Sequence, residues 1–166
     1  MKKTISILLV SIVSSFVFCQ TTIDAIVSKK SSIYIFDSIN NGRTIVKEIY
    51  NDSTEDYFLC IIDSIVDDYA FIQGQYVFDS SEEKIYGWIL VDALETYPGD
   101  FDTICFYEVP DYNASRITID SPAWSPMKIR KVYKDWVFVL YHDDYRNCKG
   151  WVNIEMLCAN PYTVCN

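Results

Sequence analysis

A single histidine, His142, limits the acid–base chemistry open to this 166-residue chain. Nucleophilic catalysis needs a thiol or hydroxyl within hydrogen-bond reach of an oriented base, and Cys105 is the conceivable nucleophile to set against His142. Nothing in their spacing brings the two together. Beside Asp143 in a polar stretch, His142 reads as a solvated hairpin-tip residue. Zinc asks for several Cys or His at close spacing, whereas Cys158 and Cys165 frame Asn160-Pro161-Tyr162 with no second ligand pair near. The acidic pairs Asp67-Asp68 and Asp143-Asp144 lack the alternating oxygen ligands of a calcium loop and read as turn residues. There is no Gly-rich phosphate loop and no Gly-x-Ser-x-Gly elbow. The expectation is a chain with no catalytic residues, no metal site and no cofactor.

Thiols and rings are the chemistry that is left, and the compartment decides what thiols do. Lys2 and Lys3 precede an apolar run, Ile5 to Phe18, broken only by serines, and Val17-Phe18-Cys19 then offers a cut before Gln20. That is the pattern of a secretory signal peptide over residues 1–19. The run is shorter than the ~18–20 apolar residues of a spanning helix, so no transmembrane anchor is expected. Lipidation of Cys19 is the alternative, and the bulky Phe18 before it fits that signal poorly. Removing this segment takes two lysines and no acids from a net charge of −9 and leaves −11. Such a surface repels phosphate backbones, so nucleic acid is excluded as a partner. An oxidising compartment favours staples in small modules. Cys105, Cys148, Cys158 and Cys165 are the disulfide candidates, in any of three pairings, and Cys60 is expected to stay a buried free thiol.

The elements that must position these groups are legible through an internal repeat. Ile33-Tyr34-Ile35-Phe36-Asp37 aligns with Ile104-Cys105-Phe106-Tyr107-Glu108 at an offset of 71. Asp68-Tyr69-Ala70-Phe71-Ile72 aligns with Asp135-Trp136-Val137-Phe138-Val139 at 67, and Gly87-Trp88-Ile89…Leu94 with Gly150-Trp151-Val152…Leu157 at 63. Equal losses between ordered anchors are what loop shortening in a duplicated module produces. Each copy alternates like a half-buried sheet: Ala70 and Ile72 oppose Tyr69 and Phe71, and Val137 and Val139 oppose Trp136 and Phe138. Asp67-Asp68 and Lys134-Asp135 are hairpin turns, and Asp79–Glu83 is a further tip. No long segment has helical spacing, and Asp92-Ala93-Leu94 and Glu155-Met156-Leu157 suffice only for single 3₁₀ turns.

This order of elements, ending in Gly-Trp-aliphatic…Leu, resembles the bacterial SH3 (SH3b-like) family over about residues 31–160, the second copy more closely than the first. The family's Asn-Val-Arg-Ser-Gly-Pro run is absent from both. The resemblance implies an all-β fold of two tandem SH3-like small barrels after the signal peptide. Their expected bounds are an N-terminal segment at 20–30, a first barrel at 31–97, a linker at 98–101 and a second barrel at 102–166. In such a barrel the closing strand returns beside the opening one, which would bring Cys158 or Cys165 towards Cys105 or Cys148. The non-core faces carry Tyr69, Phe71 and Trp88 in one copy and Trp136, Phe138 and Trp151 in the other, the candidate ligand-binding residues. Two roles suit those faces equally, a binding groove and the contact between the barrels.

Function follows only as a class. The leading expectation is an exported, periplasmic or extracellular, non-enzymatic binding module for cell-envelope peptide, glycan or a partner protein, since bacterial SH3 modules often target cell-wall enzymes to peptidoglycan. An acidic inhibitor or assembly partner of a basic envelope protein is the second. A cell-wall cysteine peptidase using Cys105 and His142 is the weakest, because two barrels leave no catalytic domain. Export makes a direct prediction: mass spectrometry of the native protein finds its N-terminus at or next to Gln20. Retention of Met1, or a diacylglycerol on Cys19, contradicts it.

Overall fold

The computed structural model describes residues 22–28, 32–49, 56–78, 83–160, 162 and 165. The expected signal peptide and most of the Asp79–Glu83 tip lie outside the described residues. The fold is all-β, as expected. Its strands are β1 (Ile23–Val27), β2 (Ile33–Phe36), β3 (Ile45–Ile49), β4 (Phe58–Val66), β5 (Tyr69–Tyr76), β6 (Ile85–Leu90), β7 (Leu94–Pro98), β8 (Thr103–Tyr107), β9 (Arg116–Asp120), β10 (Met127–Tyr133), β11 (Trp136–His142), β12 (Asn147–Asn153) and β13 (Leu157–Cys158). Single 3₁₀ turns at Val91–Ala93 and Ile154–Met156 follow β6 and β12.

All strands join one antiparallel sheet in the order β3-β2-β6-β5-β4-β1-β7-β10-β11-β12-β8-β9, with β13 on β7. The first six positions are repeated, mirrored about the centre, by the last six. Registers repeat at the offsets read from the sequence: Phe36 faces Trp88 as Tyr107 faces Trp151, and Ala25 faces Cys60 as Thr96 faces Met127. The bulge between Ile62 and Ser64 recurs between Ile129 and Lys131. Both hairpin turns place a residue in the left-handed region, Asp67 at φ 53° and Lys134 at φ 52°. The next residue's carbonyl then accepts from the first N–H of the 3₁₀ turn, Val91 to Asp68 and Ile154 to Asp135, each at 2.9 Å.

Close approach explains the Gly-Trp pair. A Cβ on Gly150 would lie 2.9 Å from Phe106 Cβ and 3.0 Å from the Tyr107 carbonyl oxygen, so β8 could not lie against β12 there. Gly87 meets Ile35 and Phe36 in the same way. The adjacent aliphatics face inward: Ile35, Ile72, Ile89, Val137, Val139 and Val152 are fully buried in one core that spans both halves. Each such side chain contributes about 1.5–3 kcal/mol by leaving water.

The joint between the halves departs from the sequence expectation. Residues of the 20–30 segment supply β1, which pairs with both β4 and β7. Tyr97 and Pro98, expected to end the first barrel and begin the linker, instead finish β7, where they face Cys158 and Leu157. Gly99 is buried, and its N–H donates to the Met156 carbonyl at 2.8 Å. Proline and glycine read as punctuation, yet a strand end needs no ladder N–H from proline.

The disulfide falls within the expected set of four and leaves Cys60 free, but it does not join the tail to Cys105 or Cys148. Cys158 bonds Cys165, with Cα atoms 5.4 Å apart, while Cys60 is buried and free, and Cys105 and Cys148 are free. The closing strand β13 returns beside β7 rather than beside β8, and Cys158 bonds neither Cys105 nor Cys148. Beyond β13, Ala159 packs with Ile26 and Tyr57, and the Tyr162 ring lies 5.6 Å from that of Tyr57. The bridge closes an eight-residue loop, a constraint worth on the order of 2–3 kcal/mol. Thiol counting on denatured, unreduced mature protein therefore gives three free thiols. Limited proteolysis of the folded chain spares residues 97–101; rapid cutting there would show β7 to be wrongly placed.

Candidate ligand-binding surface

Alternation along the strands lines up one aromatic set in each half, half-buried except for Tyr107, which is buried. Phe36, Trp88 and Phe71 stand side by side across β2, β6 and β5. Tyr107, Trp151 and Phe138 do the same across β8, β12 and β11. The Trp88 ring meets Phe71 edge-on at 5.2 Å, and Trp151 meets Phe138 at 5.5 Å. Each of these contacts stays within its own half. The joint between halves is made instead by β1, β7 and β10, by the ion pair Arg130–Asp92, and by Tyr97 stacked on Trp124 at 5.3 Å. The six expected ligand-binding rings are thus not the contact between the halves.

At the start of β5 and β11 the halves diverge. In the first, the Arg43 guanidinium lies 4.3 Å from the Phe36 ring centre and 5.2 Å from that of Tyr69, and donates to the Tyr69 hydroxyl. In the second, the equivalent rings Tyr107 and Trp136 touch edge-on at 5.2 Å, and Tyr112 closes a triangle with them at 5.9 and 4.8 Å. Trp136 is only 7% exposed beneath Tyr112, which is 58% exposed. Burial, the Glu155 carboxylate, Tyr107 and Asp135 together push the Tyr112 phenol up, which puts two acids around the rings. Arg116 lies over Tyr107, 5.6 Å from its ring centre, and donates to its hydroxyl at 3.0 Å. A groove of about 300 Å³ continues from Tyr107 between Arg116, Ser115, Phe138 and Lys149.

Sequence reasoning named Tyr69, Phe71, Trp88, Trp136, Phe138 and Trp151 but missed Phe36, Tyr107, Tyr112 and Arg43. The first two could have been found, since the 71-residue offset already aligned their strands. Tyr112 and Arg43 come from loops and leave no periodic signal. Cys105 and His142 do not meet. The Cys105 sulfur lies 3.6 Å from the Thr118 hydroxyl, His142 Nδ1 lies 2.6 Å from Asn147 Oδ1, and β12 runs between their strands. Burial pushes the remaining thiols, Cys60 and Cys148, up, away from thiolate character. Among the described residues no group of three or more His, Cys, Asp or Glu could hold a metal. No helix among them is long and apolar enough to cross a membrane.

Asp143, which the sequence places in a solvated turn, is buried and holds the β11–β12 hairpin in shape. Its carboxylate accepts from the Tyr141 hydroxyl at 2.7 Å and from the N–H groups of Tyr145 and Arg146 at 2.9 and 2.8 Å. The Arg146 side chain pairs with it at 2.8 Å and reaches on to the carbonyls of Asp120 and Ser121. The Tyr141 hydroxyl above all, then these N–H groups and Arg146, hold the carboxyl well below the usual range against the opposing effect of burial.

No protein-family model and no curated protein sequence matches this chain. Among solved structures, "Structure of NlpC2 from Trichomonas vaginalis" is similar over 83% of this chain and 48% of its own, at 15% identity and a TM-score of 0.30. The chain thus spans less than half of that neighbour, and a likeness at that score assigns neither fold nor function.

A carboxyl whose pKa is depressed by folding contributes stability above its unfolded pKa and loses it as pH falls towards the folded one. Thermal melts of Asp143→Asn should therefore fall below those of the parent chain at neutral pH. That gap should narrow progressively below about pH 4, where unfolded carboxyls protonate. A gap that stays constant down to the acid limit of folding would mean that the charge is not what the hairpin uses.

Proposed function

We propose that this chain is an exported, non-enzymatic binding module of bacterial SH3 type, two small barrels of which the second takes a short extended peptide of the cell envelope. The observation that carries this reading is the cluster Tyr107, Tyr112 and Trp136 with Trp151 and Phe138 beside it and Asp135 and Glu155 around it. Aromatic strips take proline rings and aliphatic stems on their faces, and flanking carboxylates favour a basic side chain. The first half supports the chemistry with a contact of its own, since Arg43 already lies against Phe36 and Tyr69. A ligand in the second half would make with Tyr112 and Trp136 a contact of that kind.

A second reading is favoured by the net charge of −9 over the whole sequence: an acidic partner for a basic envelope protein. Salt separates the two. Ring-held peptide loses little affinity as ionic strength rises, whereas steering by a broad acidic surface loses on-rate steeply.

The test is capture from envelope extract by the mature chain, followed by titration of the captured species by tryptophan fluorescence at low and high salt. Trp136→Ala and Trp151→Ala should each weaken binding by about tenfold or more, the usual cost of an aromatic anchor. Trp88→Ala in the first half should leave it within about twofold. A glycan as the captured species, or equal losses in the two halves, would refute the peptide assignment.

A further inference from the structure

A cleft lies at the other end of β11 from Trp136. It encloses about 660 Å³ between Glu95, Lys128, Leu140, His142, Asn147 and Lys149, a size suited to a small molecule. Its floor follows from register. Glu95 on β7 faces Lys128 on β10, Lys128 faces Leu140 on β11, and Leu140 faces Lys149 on β12. Four adjacent strands thus present an acid, a base, an apolar side chain and a second base in one row. His142 stands one step along, with its Nδ1 engaged by Asn147.

Charge makes this row unusual. The sequence carries 23 acids against 14 Lys and Arg, yet two lysines and the only histidine converge on one cleft. At its inner end, Glu95 is 5% exposed, and no hydrogen bond or ion pair among the described residues holds its carboxylate. Lys128 is its direct cross-strand neighbour, but the two do not pair within ion-pair distance. A buried carboxylate without a partner is costly, and an incoming cationic donor would offset that cost.

Comparison of the halves separates this row from the demands of the fold. The equivalent row in the first half is Asp24, Ile61, Gln73 and Tyr86, facing one another in the same registers. The scaffold therefore folds with neither lysine. The second half keeps the acid and adds two bases on the far side of it.

We propose that this cleft binds a compact zwitterion, an amino acid or short peptide with a free α-ammonium and a free carboxylate, the ammonium on Glu95 and the carboxylate between Lys128 and Lys149. A simple anion would have to face the buried Glu95. A simple cation would have to pass both lysines. Only a ligand carrying both charges satisfies both ends, with Leu140, which stands between the two lysines in the row, beneath its carboxylate end. The cleft shares Lys149 with the groove beside Tyr107, but Trp136 and His142 sit at opposite ends of β11, roughly 20 Å apart at the rise of an extended strand, so Trp136 takes no part in it.

The test is calorimetric titration of the mature chain with alanine and with alanyl-alanine, alongside N-acetylated and C-amidated alanyl-alanine. At least one unblocked probe should bind, and blocking either end of the dipeptide should weaken it by about tenfold or more, the cost of one charge-assisted contact. If alanine binds as well as the dipeptide, the natural ligand is a free amino acid; if only the dipeptide binds, it is a peptide. Lys149→Met should remove the preference for the free carboxylate, and Glu95→Gln the preference for the free ammonium, with Trp136→Ala changing neither. Should Glu95→Gln fail to fold, the blocked probes on the unaltered chain still decide. Equal binding of blocked and unblocked dipeptide, tighter binding of inorganic phosphate than of either probe, or no binding of any probe overturns the proposal.

Discussion

Five residues, Leu94–Pro98, hold hydrogen bonds to three other strands, and the arrangement of everything else depends on that. β7 pairs with β1 and β10 through its first residues and with β13 through its last. Leu94 is fully buried in the shared core, and the Thr96 hydroxyl donates to the Cys158 carbonyl at 3.1 Å. The strand has little freedom to shift by one residue, because a slip would turn Leu94 outward and Glu95 into the apolar core. Both sites described above are hung from this fixed point, the cleft directly through Glu95 and the aromatic cluster through β10, β11 and β12.

How much of this the sequence disclosed depended on whether a residue's role is local. Gly87-Trp88 and Gly150-Trp151 were legible because close backbone approach and alternating burial act on adjacent positions. The burial of Ala70, Ile72, Val137 and Val139 followed from period two alone. The joint was not legible. Proline and glycine at 98 and 99 look like a break, and only the partner strand reveals that Pro98 faces Leu157. Asp143 failed for a related reason. An acid before another acid in a turn is ordinarily solvated, and the groups that bury it, Tyr141 and Arg146, belong to the strand end and the turn that fold around it. Pairing of Cys158 with Cys165 was open for want of the tail's path.

The aromatic site was half legible. Strand positions such as Trp136 and Trp151 declare themselves by alternation, whereas Tyr112 and Arg43 arrive on loops of different length in the two halves. Those loops are also where the halves part company. Inward-facing residues match pair by pair, Ile35 with Phe106, Ile72 with Val139 and Ile89 with Val152, because one core shape must be filled twice. Outward-facing residues are under no such obligation. Arg43 seals one aromatic surface, while Tyr112 tops the other, and Asp24 and Ile61 give way to Glu95 and Lys128. Comparing a molecule with itself in this way sorts packing from chemistry without any second sequence.

The way β7 serves both halves also bears on how such a chain could grow. β13 stands to β7 as β7 stands to β1, since Tyr97 faces Cys158 and Pro98 faces Leu157 just as Ile26 faces Glu95 and Val27 faces Leu94. The first half is therefore finished by the first strand of the second, and the same edge of β7 is left to receive a further strand. β13 takes with two residues the place on β7 that β7 takes on β1, and Cys158 within it is bonded to Cys165. A chain lengthened by another copy of residues 94–156 would find its seat already made. One shortened to a single copy would need a stray strand to finish it.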